Sequence, residues 1–87
     1  MPYTIVYNAS VVEKDIPAIP KTNRGQIQRA IEERIAIAPE KLGKPLRHNL
    51  KGYRRLRVGD WRIVYRIEGE NVIVSAIALR RDVYEEK

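Results

Sequence analysis

The sequence predicts an α+β fold: an N-terminal strand, a two-helix hairpin packed on a mainly antiparallel sheet, and a C-terminal three-stranded meander that completes the sheet. Three observations carry this expectation. Apolar residues recur at helical spacing through the first half of the chain and alternate along the second. Two hairpin-length turns, Gly59-Asp60 and Gly69-Glu70-Asn71, divide the second half into three strands. The run from Val72 to Leu79 is apolar on both faces, which places it inside the sheet, with the N-terminal strand beside it.

Each element has its own signal. Tyr3 to Tyr7 is β-branched and aromatic and stops at Asn8, as a short strand does. From Ala9 to Ile16, the apolar residues Val11, Val12 and Ile16 fit one face of a short helix, which Pro17 and Pro20 keep from running on. A longer helix is expected from Asn23, whose side chain can cap it while Gln26 answers three residues later. Its packing face is Ile27, Ala30, Ile31, Ile35 and Ala38, and Pro39 ends it. Glu40 to Gly52 reads as an exposed basic loop punctuated by Gly43 and Pro45. The strands Tyr53–Val58, Trp61–Glu68 and Val72–Leu79 follow.

At 87 residues the whole chain, 1–87, is expected to form one domain, since two cores would each approach the size at which metals or disulfides become necessary. Cysteine is absent and histidine occurs once, so thiolate chemistry, disulfides and a histidine-based zinc site are not expected, nor is any metal or other cofactor. The first residues lack the basic start and apolar stretch of a signal peptide, and no run approaches the ~20 apolar residues of a membrane span. A cytoplasmic protein without a membrane partner is the expectation.

Charge narrows the partner class. The formal net charge is +6, and residues 44–66 alone carry eight basic side chains against one acid, Asp60, while the rest of the chain is nearly neutral. Such concentration is the electrostatic footprint of a polyanion, nucleic acid first; a merely soluble basic surface is the alternative. Alternation along Tyr53–Val58 sends Arg55 and Arg57 to the face opposite Leu56 and Val58. Arg62 alternates with Trp61, Ile63, Tyr65 and Ile67 and can join the two arginines across the Gly59-Asp60 turn. Arg80, Arg81 and Tyr84 follow the last strand. Arginine forks hold phosphate oxygens bidentately and a nearby ring can stack a base, and the same donors can stabilise a phosphorane without metal. The competing reading is a solvated strand face pairing with Glu68, Glu70 or Asp82. His48 lies in a loop with no sequence-adjacent partner to orient it, Trp61 and Tyr65 read as core anchors, and Gly59-Asp60 as turn chemistry.

The run from Gly52 to Arg66, with its centre Arg55-Leu56-Arg57-Val58-Gly59-Asp60-Trp61-Arg62-Ile63-Val64-Tyr65, followed by Ala78-Leu79-Arg80-Arg81-Asp82-Val83-Tyr84, resembles the RelE/ParE toxin superfamily and its RelE branch in particular. The resemblance implies the toxin of a type II toxin–antitoxin system, a ribosome-dependent messenger-RNA endoribonuclease. Such an enzyme cuts the aminoacyl-site codon by attack of a ribose 2′-hydroxyl on the adjacent phosphate. By position it assigns Arg57, Arg62, Arg80 and Tyr84 to catalysis, and Arg55, with neighbouring Lys51, Arg54 and Arg81, to RNA binding. It implies as partners the ribosome, messenger RNA and a RelB-like antitoxin. The chain departs from the family where Arg55 and Arg57 stand for frequent lysines and Leu79 for a frequent polar residue; an arginine serves as a clamp and not as a base, so proton transfer would fall to Tyr84 or to ribosomal RNA. A ParE-like toxin acting on DNA gyrase and a nucleic-acid-binding module without chemistry are the alternative readings.

Overall fold

The computed structural model of the chain describes residues 2–46 and 51–79. Strand β1, Thr4–Tyr7, leads into helix α1, made of a wide turn at Val11–Asp15 continued by Ile16–Ala18. Helix α2 spans Lys21–Ala30 and is extended by a second wide turn, Ile31–Ile35. A short 3-10 turn, Pro39–Lys41, precedes strand β2, Lys44–Pro45, and the meander follows as β3, Tyr53–Val58, β4, Trp61–Glu68, and β5, Asn71–Leu79.

The five strands form one sheet in the order β1-β5-β4-β3-β2. β1 runs parallel to β5 and the remaining pairs are antiparallel, so the apolar last strand lies inside the sheet with the N-terminal strand beside it, as its pattern predicts. Both helices cover one face. Val11, Ile19, Ile27, Ile31 and Ile35 pack there on Leu56, Ile63, Tyr65, Val72 and Val74. On the other face Leu46 and Val64 form a smaller cluster with Tyr53, Ala76 and Ala78.

Several expectations are corrected in detail. α1 passes through Pro17 to Ala18, with Pro17 in the first turn of the Ile16–Ala18 segment, a position where proline is tolerated. The wide turn at Val11–Asp15 shifts the helical phase, and Val12, expected on the packed face, is exposed. α2 begins at Lys21, two residues early, with Pro20 at its N-cap and no side-chain cap. Asn23 and Gln26 therefore form no capping box: the Asn23 and Arg24 amides bond Pro20 O instead. Lys44–Pro45, expected in a loop, pairs as a strand with Arg55 and Arg54.

The segment leading to β2 is held from the sheet. The Tyr65 hydroxyl lies 2.8 Å from Pro39 O and 3.1 Å from Leu42 O, and Arg54 Nε donates to Leu42 O at 2.8 Å. Burial pushes the Tyr65 phenol above its ordinary pKa and keeps it a neutral donor. Tyr65→Phe leaves the Pro39 carbonyl without this partner and is expected to cost about 1–3 kcal/mol, read as a lower urea midpoint at unchanged slope.

Candidate nucleic-acid interface

The face of β3 and β4 opposite α1 and α2 gathers the cations. Residues directly opposite each other in an antiparallel ladder project to the same side. Arg57 pairs with Arg62, Arg55 with Val64, Tyr53 with Arg66, and Lys44 of β2 with Arg55. Lys44, Arg55, Arg57, Arg62 and Arg66 thus share one face, with Tyr53 at its far end and the Leu46–Val64 cluster beneath.

The arginines are not equivalent. Arg57 is exposed. Arg62, expected on a polar face, is only 6% exposed, with Nη1 3.4 Å from the carbonyl of Trp61. Burial fixes its stem while its cross-strand neighbour is exposed to solvent, so the pair combines a positioned fork with an adaptable one. Arg66 donates from Nε to Glu68 at 2.8 Å and lies 5.8 Å over the Tyr53 ring, which partly neutralises it and sets its plane. Arg55 is half-buried beside Lys44.

Of the other residues assigned from sequence, Arg54 does not join this face. Parity turns it to the helix side with Leu56, where its guanidinium binds the carbonyls of Leu42 and Gly43. Lys51 is exposed in the turn before β3. Arg80, Arg81, Tyr84 and His48 lie outside the described residues. β5 is described to Leu79, opposite Trp61 and next to the Arg62–Ala78 pair. Trp61 and Tyr65 are buried in the main core, as expected of anchors.

Lys44, Tyr53 and Arg66 were not among the expected site residues. Tyr53 and Arg66 were accessible from strand parity alone, being in phase with Arg55 and Arg62. Lys44 carries no such signal, since a two-residue strand has no periodicity and only its pairing reveals its side.

Chemically, this face can bind and polarise a phosphodiester. Two guanidinium groups side by side match the oxygens of one phosphate, and their charge is independent of pH in the working range. Among the described residues there is no cluster of three or more His, Cys, Asp or Glu side chains that would hold a metal ion, and no helix is long and apolar enough to cross a membrane.

The family described as ParE toxin of type II toxin–antitoxin system, parDE, matches residues 6–84. Toxin RelG of Mycobacterium tuberculosis is 29% identical over 86 residues, covering 97% of this chain and 98% of the relative. Toxin RelE of the same organism is 30% identical over 80 residues, covering 92% and 81%. Among solved structures, the toxin–antitoxin complex RelBE2 from M. tuberculosis superposes with a TM-score of 0.84 at 26% identity, over 92% of this chain and all of the matched chain.

Proposed function

This chain belongs to the RelE/ParE family of toxins from type II toxin–antitoxin systems, and from that premise we propose that it is a ribosome-dependent endoribonuclease that cuts messenger RNA in the aminoacyl site. The observation that carries the reading is the direct cross-strand pairing of Arg57 with Arg62 on a face that also holds Lys44, Arg55 and Arg66. Arg57 and Arg62 hold the non-bridging oxygens of the scissile phosphate. The ribose 2′-oxygen attacks phosphorus as the P–O5′ bond breaks, leaving a 2′,3′-cyclic phosphate and a 5′-hydroxyl, while one proton passes from the 2′-oxygen to the 5′-oxygen. The guanidinium groups act on the charge that develops on the phosphorane. Arg80 and Tyr84, outside the described residues, enter by family resemblance alone, Arg80 as a further charge stabiliser and Tyr84 as stacking ring or proton relay. A message carrying a single 2′-deoxynucleotide 5′ to the cleaved bond is expected to survive intact at that codon while neighbouring codons are cut. Cutting at the deoxy position would exclude 2′-oxygen attack.

A RelB-like antitoxin is the proposed regulator. Complexes of similar toxins with RelB have been solved, and the +7 segment between residues 44 and 66 suits an acidic chain that folds on binding. Association is expected to slow roughly tenfold or more between low and high salt, with dissociation changing less, because steering between exposed charges is screened. Stopped-flow mixing with the product of the neighbouring reading frame measures both rates. The second reading, a toxin that inhibits DNA gyrase, is favoured by the ParE description of the matching family; a supercoiling assay run beside the cleavage assay separates the two.

A further inference from the structure

We infer that the cleft between the β3–β4 turn and the first turns of α2 is a base-reading subsite for the unpaired RNA base next to the phosphate held by Arg57 and Arg62. The inference rests on the nuclease reading and assigns its specificity.

The cleft measures about 400 Å³ and is lined by Pro20, Asn23, Gln26, Asp60, Trp61 and Leu79, among others. Its two amides come from one face of α2, since residues three apart on a helix are neighbours. Gln26 reaches the turn itself: its Nε2 lies 3.8 Å from the point a Cβ on Gly59 would occupy. Asn23 and Gln26 each offer a donor and an acceptor, and the Asp60 side chain adds two carboxyl oxygens. Pro20, Leu79 and the Trp61 ring supply apolar walls. Apolar walls beside amide and carboxyl groups suit a planar heteroaromatic ring with hydrogen-bonding edges, which is what a splayed-out base presents.

The position fits as well. Val58 and Trp61 close the hairpin, and the next pair inward is Arg57 with Arg62. Trp61 packs toward the helices, while Arg62, one residue on, projects to the cationic face. The cleft and the arginine pair therefore lie on the two faces of one hairpin tip, so a strand that passes around the tip presents a phosphate to one and a neighbouring base to the other. Asp60 sets the preference: a carboxylate accepts from the exocyclic amino group of cytosine, adenine or guanine, and uracil has none. The subsite discriminates against uracil at one codon position.

The test compares wild type with Gln26→Ala and Asp60→Asn in a translating extract, counting cuts codon by codon within each reaction so that a general loss of activity cancels. At the position read, the ratio of cutting at amino-bearing bases to cutting at uracil is expected to fall about tenfold in both variants, the scale of one lost base-edge contact. Ratios within about twofold of wild type in both variants overturn the subsite, on the same scale. If wild type or both variants give no cuts, Trp61 decides, since it is the single tryptophan of the chain. Its fluorescence is titrated with the homotrinucleotides of A, C, G and U. Saturable quenching by A, C or G that is stronger than by U and weakened in Gln26→Ala upholds the subsite, even where absent cutting by wild type sinks the nuclease reading. No quenching, or quenching equal in wild type and variant, overturns it.

Discussion

Arg57→Ala is expected to slow codon-registered cutting by about a hundredfold or more while leaving the fold intact, the scale of removing one preorganised donor from developing charge. The side chain is exposed on β3, on the face opposite α1 and α2, and its removal opens no cavity. Urea unfolding is therefore expected to move by no more than about 0.5 kcal/mol. Arg57→Lys keeps the charge and loses the fork, and should recover only part of the rate. Arg62→Ala should slow cutting to a similar degree but also destabilise, because Arg62 is buried and the change removes its aliphatic stem from that packing. Primer extension on the message measures the rates, and denaturation separates the two causes. An unchanged rate for Arg57→Ala would remove it from the site.

Gly43→Ala carries the second large effect, expected at about 3 kcal/mol or more from combined backbone strain and displacement of a strand. Gly43 has φ +67°, and a Cβ there would stand 2.5 Å from the carbonyl oxygen of Arg55. That neighbour is backbone and cannot swing aside. β2 must retreat from β3, taking Lys44 away from Arg55, so cutting should fall together with stability. Gly69→Ala is the control: its φ is +60° with nothing within 4 Å, leaving only the left-handed strain of about 1–2 kcal/mol. Equal urea midpoints for the two variants would show that the contact with Arg55 has no energetic weight.

The order of elements, the two hairpin turns, the interior last strand and the parity of Arg55, Arg57 and Arg62 follow from local pattern, and local pattern is what a sequence displays. What escaped depends on contacts between distant segments. In β5, Val74 pairs with Tyr65 and Ala76 with Val64, so the register slips at Ser75. The slip moves the core-facing set from Val72 and Val74 to Ile77 and Leu79. A run apolar at nearly every position cannot reveal such a change of phase. Val12 left the packed face for a similar reason, since a widened helical turn changes the phase without changing composition. The commitment of Arg54 to the Leu42 and Gly43 carbonyls and the burial of Arg62 both arise from chain segments brought together only by the fold. For the candidate site, strand parity assembled the central arginines, whereas Lys44 required the pairing of β2 with β3.

The most direct test of message cleavage by the cationic face maps new 5′ ends on a translated message after adding purified wild-type protein or Arg57→Ala, with gyrase supercoiling assayed on the same preparations. Cuts in register with codons, dependent on active ribosomes, at least about a hundredfold weaker in Arg57→Ala and unaccompanied by loss of supercoiling, are the expected result. Intact message at toxin concentrations that arrest growth, with supercoiling abolished, would contradict it.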